Sequence, residues 1–273
     1  MNHIRLISPV DGSLYAERPL IGSHALEQVL RRAAEAQRAW RQLPLDQRAG
    51  YCLKAVDAML AMKDEIVPEL AWQMGRPVRF GAGELRGFEE RARYMIGIAA
   101  SALTDVLPEP KEGFRRFIRR EPLGTVLVVA PWNYPYLTAV NAIIPALMAG
   151  NAVLLKHASQ TLLVGERFAQ AFARAGLPDG LFHNLVLDHG QTGALIASGQ
   201  VQQVNFTGSV EGGRMMESAA AGHFIGVGLE LGGKDPAYVR ADADLAHAVE
   251  NLVDGSFFNL FSRFFNSFFT PFF

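Results

Sequence analysis

The chain has 273 residues, of which 26 are Lys or Arg and 27 are Asp or Glu, so its formal net charge is −1. This balance predicts neither a nucleic acid nor an anionic membrane as a partner. One cysteine, Cys52, excludes an internal disulfide and a cysteine metal cluster, and we expect no metal site. Without a secretory signal or a membrane-spanning run, we expect a cytoplasmic protein.

The first hundred residues predict an extended segment followed by helices. Residues 1–20 contain an Asp11-Gly12 turn signal, and "SHALEQVLRRAAEAQRAW" predicts a helix that opens with a capping box of Ser23 and Glu27. Residues 44–75 predict helices broken near Pro68, because proline removes a helical hydrogen bond. Residues 83–103 predict a further helix.

The pattern changes after residue 103. Residues 104–121, called the arm below, are turn-rich and alternating, which favours a protruding two-stranded arm. From "GTVLVVAP" to "VEGGRMMESAAAG", buried strands alternate with helices. This alternation predicts an α/β fold, a Rossmann-like parallel sheet with helices on both faces. Such sheets bind ligands at the carboxyl ends of their strands.

Unusual residues accompany four predicted strand ends. They are Pro131, Trp132 and Asn133 in "PWNYP", Lys156 and Ser159 in "KHAS", Thr207, Gly208, Ser209 and Gly213 in "FTGSVEGG", and Glu230 and Leu231 in "LELGGK". The GxxxxG spacing alone is a weak signal, because the lysine of a phosphate-binding loop does not follow it.

Taken together and in this order, the motifs strongly resemble the aldehyde dehydrogenase superfamily, from about residue 5 to residue 259. The resemblance implies an enzyme that oxidises an aldehyde to a carboxylic acid with NAD or NADP. It implies a dinucleotide-binding domain at residues 1–103 and 122–235. It also implies a homo-oligomer, formed through the oligomerisation arm at residues 104–121.

The resemblance assigns a role to each motif. Asn133 matches the amide that stabilises the aldehyde oxygen, and Glu230 matches the general base that activates water. Lys156 matches the lysine that holds the adenosine ribose. The backbone near Gly208 and Ser209 would face the cofactor diphosphate. The remaining cofactor-binding positions are Pro131, Trp132, Ser159, Thr207, Gly213 and Leu231.

Plainer interpretations of these residues stay open. Asn133 could be an ordinary turn residue, Lys156 a solvated lysine, and Glu230 a buried, satisfied carboxylate. "FTGS" could be a simple turn from strand to helix.

Ser159 bears on the choice of cofactor. Members of the family that prefer NAD often have a glutamate at this position, three residues after the lysine. A serine cannot repel the 2′-phosphate of NADP, so we expect NADP to be at least tolerated. His157 could assist a phosphate, although a lone histidine more often lies at the surface.

The last residues depart from the resembled pattern. The family's nucleophilic cysteine falls at position 264, which is Phe264 here, and Cys52 resembles a small packing residue. Residues 236–259 match the start of a catalytic domain that we expect to be largely missing. Residues 260–273 form an aberrant Phe-rich tail, best explained by a changed reading frame, and aldehyde oxidation is not expected.

Two other interpretations of the chain stay open. It could be a surviving NAD(P)-binding module without redox chemistry. Its Phe-rich tail could also be an amphipathic anchor for a membrane or a partner.

Overall fold

The computed structural model describes residues 3–233 and 236–257. The N-terminal elements are β1 (His3–Ile7), β2 (Leu14–Pro19), α1 (Ser23–Trp40), α2 (Leu45–Leu60), α3 (Lys63–Met74) and α4 (Val78–Ala102). Next come β3 (Thr125–Val129), α5 (Pro135–Met148), β4 (Ala152–Lys156), a 3₁₀ turn (Ser159–Thr161) and α6 (Leu162–Arg174). The last are β5 (Phe182–Asn184), α7 (His189–Ala197), β6 (Gln203–Gly208), α8 (Val210–Ala220), β7 (Gly226–Leu231) and α9 (Leu245–Phe257).

The first two strands form the expected turn-linked extended segment, an antiparallel hairpin. The predicted capping box at the start of α1 is wrong. Gly22 is the N-cap residue, and no side chain caps the helix. Since Ser23 is already helical, Glu27 lies too far along the helix for the reciprocal hydrogen bonds of a capping box.

The predicted helix break near Pro68 is also wrong. The break lies at Ala61 and Met62, and Pro68 lies inside α3. An internal proline costs a helix about 3 kcal/mol. Here α3 buries Ile66, Leu70 and Met74, and burying each of such side chains contributes roughly 1.5–3 kcal/mol. Tertiary packing therefore outweighs the local penalty.

Five parallel strands form the central sheet in the order β5-β4-β3-β6-β7. The chain moves outward from β3 through β4 to β5, and then returns to place β6 on the other side of β3. This reversal makes the gap between β3 and β6 the switch point of the sheet, where open α/β sheets bind ligands. The predicted Rossmann-like sheet is confirmed.

One predicted strand is shorter than expected. The "FHNLVLD" segment forms a strand only over Phe182–Asn184. Leu185 still donates to the carbonyl of Leu155, at 2.7 Å, before the chain turns toward α7. Asp188 then accepts a hydrogen bond from the Gln191 amide and caps that helix, so the strand ends where a helix start competes for the backbone.

Side chains alternate between two cores, one on each face of the sheet. Val126, Val128 and Leu155 pack with α2, α4, α5 and α6. Leu127, Leu154 and Val204 pack with α1, α7 and α8. Strands buried on both faces explain the continuous apolar runs in the sequence, and the helices on both faces agree with the predicted layers.

The arm is antiparallel but has few backbone pairs. Val106 pairs with Ile118, and Lys111 pairs with Phe114. Several of its apolar side chains are exposed. Among the described helices, none has the length and apolar composition needed to cross a membrane.

Candidate active site

The loop between β3 and α5 contains the first group of candidate residues. Pro131 and Trp132 are half-buried, and Trp132 packs against the core beside α5. Asn133 is exposed, and its Oδ1 accepts a hydrogen bond from the Tyr134 amide at 2.9 Å. An amide N–H can donate only to the oxygen of the side chain, so this bond fixes which end of the carboxamide turns inward. The NH₂ end of Asn133 remains as the donor for a ligand.

Lys156 ends β4, directly beside this loop. Its carbonyl accepts a hydrogen bond from the Ala130 amide at 3.1 Å, and its side chain is only 9% exposed. Burial lowers the pKa of the Lys156 ammonium, and the charge of Asp188 opposes this effect. Within the described residues, no side chain or carbonyl bonds the ammonium. A largely buried lysine whose ammonium has no protein partner there favours a ligand that brings oxygen atoms to it.

His157 follows Lys156, and the expectation that it lies at the surface is wrong. Its ring is 3% exposed. Its Nδ1 accepts from the Ala158 amide at 3.0 Å, so Nε2 carries the proton and donates to the Pro135 carbonyl at 3.1 Å. Burial lowers the pKa of His157 to about 4. The neutral ring therefore joins the loop after β4 to the loop after β3, and does not offer a cation to a phosphate.

Ser159 lies in the 3₁₀ turn that leads into α6, and it is exposed. It follows the last residue of β4 by three positions, so it lies at the same edge of the sheet as Lys156. No carboxylate occupies this position.

The start of α8 contains the next group. Thr207 and Gly208 are the last residues of β6, and Ser209 is the N-cap of α8. The Ser209 hydroxyl accepts from the Gly212 amide at 3.1 Å. This cap uses the amide at the third helical position and leaves the amides of Val210 and Glu211 outside the helix ladder. Free amides at the positive end of a helix dipole are suited to a phosphate group.

Leu231 lies against this helix start. A Cβ on Gly213 would lie 2.6 Å from Leu231 Cδ2, so a glycine is needed for the observed contact. The Gly232 amide also donates to the Gly208 carbonyl at 2.7 Å. The structure therefore brings together the "FTGS" and "LELGG" motifs, which the sequence separates.

Glu230 lies in β7, one residue before the strand ends. Its register partner on β6 is Thr207. Both line an open groove of about 810 Å³ between α5 and the uncovered face of β6 and β7. Asn205, Gln203 and Asn141 also line it, together with apolar residues that include Leu123, Val126 and Leu229.

The candidate residues therefore form two neighbouring regions at one edge of the sheet. Thr207 and Glu230 lie in the groove. Asn133, Lys156 and Ser159 lie along the strand ends outside it. The nucleophile position, Phe264, and the tail at residues 260–273 lie outside the described residues.

Cys52 is remote from this edge. It lies in α2, is fully buried in the core, and its pKa is raised by burial to about 12. A thiol in this state is neither ionised nor accessible, so it cannot act as a nucleophile at the strand ends.

Two residues near the site are not identified by the sequence motifs. Arg76 and Glu84 form a buried ion pair that contacts the Asn133 loop. A signal for Glu84 exists, because it shares the apolar stripe of α4 with Leu85 and Phe88, where a carboxylate needs a partner. Nothing in the sequence around Arg76 indicates its contact.

Comparison with known proteins identifies the family of the chain. Residues 1–260 match the model of the aldehyde dehydrogenase family. The chain is 34% identical over 255 residues to 3,6-anhydro-alpha-L-galactose dehydrogenase of Streptomyces coelicolor, covering 93% of this chain and 52% of the relative. The chain thus spans about half the length of this curated relative.

Solved structures show the same fold. PnpE in complex with nicotinamide adenine dinucleotide superposes with a TM-score of 0.87 at 27% identity, covering 94% of this chain and 53% of that one. Succinic semialdehyde dehydrogenase from Streptococcus pyogenes, in complex with NADP⁺, has a TM-score of 0.84 at 26% identity, covering 93% and 55%. On the family match over residues 1–260, the chain belongs to the aldehyde dehydrogenase family.

Proposed function

We propose that this chain supplies the NAD(P)-binding part of an aldehyde-oxidising site, at the carboxyl edge of β3, β4 and β6. One observation carries the proposal: the largely buried Lys156, at the end of β4, and the capped start of α8 flank the switch point of the sheet. A dinucleotide needs both a partner for its ribose and a partner for its diphosphate at such a point.

The residues present fit that cofactor. Lys156 and Ser159 would hold the adenosine ribose, and the free amides at the start of α8 would face the diphosphate. Pro131, Trp132, Thr207, Gly208, Ser209, Gly213 and Leu231 would form the surrounding walls. NAD(P)⁺, when bound, supplies the acceptor for the hydride that aldehyde oxidation releases.

Two polar side chains would take part in the reaction of the aldehyde. The NH₂ end of Asn133 would donate to the aldehyde oxygen as negative charge develops there, an interaction worth roughly 3–4 kcal/mol in comparable sites. Glu230, in the groove beside Thr207, would take a proton from the water that releases the acid. The sequence names no particular aldehyde.

A thiol nucleophile is the part that the described residues lack. Cys52 is the one cysteine of the sequence, and its burial and raised pKa exclude it from this role. We therefore propose that this chain binds NAD(P) and does not itself oxidise aldehydes.

Nucleotide titration tests the proposal. NADH fluorescence should be perturbed by the chain, and Lys156→Met should weaken binding by about tenfold, which is 1.4 kcal/mol. Lys54→Met, at an exposed position of α2, is the matched control and should bind as the wild type does. Equal binding by both variants, or no binding by a folded wild-type chain, would refute the assignment.

The arm supports a second proposal, that the chain self-associates. Leu107 is 75% exposed, Phe114 64% and Ile118 61%. Exposed apolar residues grouped on the arm favour an interface between copies of the chain. Light scattering should show a larger particle for the wild type than for the Leu107→Ser/Ile118→Ser variant, and equal masses would contradict the proposal.

A further inference from the structure

A buried ion pair connects the α3–α4 region with the loop that contains Asn133. The side chains of Arg76 and Glu84 are 1% and 0% exposed. Removing two charges from water is costly unless their remaining hydrogen-bonding groups are satisfied. Both side chains also have partners between Asn133 and Leu137.

Glu84 binds the start of α5. Its Oε1 accepts hydrogen bonds from the amides of Tyr136 and Leu137, each at 3.0 Å. These are the second and third residues of the helix, and the first, Pro135, has no amide hydrogen. A carboxylate from α4 thus caps the N-terminus of α5, where the helix dipole favours negative charge.

Arg76 binds the residue whose side chain is assigned to the aldehyde. Its Nη2 donates to the Asn133 carbonyl at 2.5 Å, and Nη1 donates to Glu84 Oε2. The guanidinium carbon also lies 4.8 Å from the centre of the Tyr134 ring. The planar guanidinium can satisfy these directions together, which a lysine ammonium cannot do.

A chain of hydrogen bonds connects Arg76 with the carboxamide of Asn133. Arg76 fixes the peptide carbonyl of Asn133, and the amide of the same peptide group belongs to Tyr134. That amide donates to Asn133 Oδ1 at 2.9 Å. The rotation of this one peptide group therefore determines where the NH₂ of Asn133 points.

We propose that Arg76 and Glu84 are positioning residues that hold the Asn133 peptide group and the start of α5, so that the Asn133 NH₂ faces the aldehyde oxygen. The catalytic role given to that orientation rests on the proposed function. The orientation itself is a property of the chain without any ligand. A preorganised donor is effective because it need not reorganise when charge develops.

A purely structural role for the ion pair makes a different prediction. Replacing both charges with apolar side chains of similar volume is often neutral for stability. In the Arg76→Met/Glu84→Met variant, a structural role would leave the Asn133 carboxamide where it is. A positioning role would displace it in a chain that remains folded.

The experiment uses two-dimensional ¹H–¹⁵N NMR of the full chain, with the Asn133 side-chain resonances identified by their absence in Asn133→Asp. Arg76→Lys keeps a cation beside Glu84 and cannot also bridge to Asn133. We expect it to shift the Asn133 NH₂ resonances and to leave the exchange of the Tyr136 and Leu137 amides within about threefold of the wild type.

Glu84→Gln should have the complementary effect. Amide exchange of Tyr136 and Leu137 should accelerate at least about tenfold, since the carboxylate that binds both is gone. Arg167→Met is the matched control, because Arg167 pairs with Glu69 and Glu65 between α6 and α3. It should change neither signal.

If a single variant unfolds, Arg76→Met/Glu84→Met still tests the proposal, because it leaves neither charge buried without its partner. A folded double variant with unmoved Asn133 NH₂ resonances would overturn the proposal, as would an unmoved signal in Arg76→Lys. Failure of the proposed function is recognised separately, since NADH titration would then fail for the wild type while these resonances still responded as expected.

Discussion

Thr207 and Glu230 are register partners on the neighbouring parallel strands β6 and β7, so both side chains leave the sheet on the same face. That face lines the groove beside α5. The next residue inward on β6, Phe206, points to the opposite face and packs with α8. Adjacent residues of one strand thus contact different surroundings, and substituting each of them should change stability by a different amount.

Phe206→Ala should destabilise the chain by roughly 3–5 kcal/mol, because it leaves a cavity between β6 and α8. Thr207→Ala, one residue away in the groove, should cost less than about 1 kcal/mol. Urea unfolding followed by circular dichroism measures both. Similar losses for the two variants would contradict the assignment of the two faces.

Ser159→Glu should move nucleotide preference toward NAD. The wild-type chain should bind NADP no more than about tenfold worse than NAD, since no carboxylate follows Lys156 in the 3₁₀ turn. A glutamate there would repel the 2′-phosphate and should widen the difference at least tenfold. Calorimetry gives both affinities, and Ser101→Glu adds the same charge at an exposed position of α4 as the control. A strong NAD preference in the wild type would oppose this prediction.

His157 should make stability depend on pH. Burial lowers its pKa from the ordinary 6.5 to about 4, so the unfolded chain takes up the proton first as the pH falls. The contribution of the neutral ring is therefore complete above about pH 6.5 and is lost between pH 6.5 and pH 4, by about 3 kcal/mol in total. This loss should be smaller by that amount in His157→Gln.

The measurement is the free energy of unfolding in urea at several pH values across this range. His24→Gln changes an exposed histidine at the start of α1 and should keep the wild-type slope. If His157→Gln also keeps that slope, the buried ring does not determine the pH dependence.

Gly213→Ala should weaken nucleotide binding more than stability. The new Cβ would press on Cδ2 of Leu231, which is 43% exposed and can move away. Alanine also favours a helix by about 1 kcal/mol over glycine, which offsets the strain. The displaced Leu231 would then disturb the wall beside the start of α8.

NADH titration and thermal unfolding are compared for this variant and for Gly193→Ala. Gly193 is helical in α7, and a Cβ added there would meet no atom within 4 Å, so it reports the propensity change alone. Loss of affinity in both variants, or in neither, would count against the contact between Gly213 and Leu231.

The sequence predicts well what local patterns determine. Apolar runs identify β3, β4 and β6, and their order with intervening helices identifies the parallel sheet. The break between α2 and α3 is misplaced, because the penalty of Pro68 is local while the burial of Ile66 and Leu70 is tertiary. His157 is misjudged for the same reason, since its partner Pro135 lies across a strand and a loop.

For the site, the motifs identify the residues that face outward at the strand ends. They do not identify what supports them. Arg76 and Glu84 reach Asn133 and Tyr136 from more than fifty positions earlier in the chain. Contacts of this kind leave no periodicity, and a single arginine between Gly75 and Pro77 is not a motif.

The strand order of the sheet also has a consequence for how the fold assembles. Val126 of β3 pairs with Val153 on one side and with Gln203 on the other, and the second contact closes a much longer stretch of chain. That longer closure costs on the order of 1 kcal/mol more in chain entropy. An opening that separates β6 and β7 from β3 would dismantle the proposed nucleotide site and leave β3, β4 and β5 paired. Ligand binding at the boundary between β3 and β6 would therefore slow amide hydrogen exchange most strongly in β6 and β7.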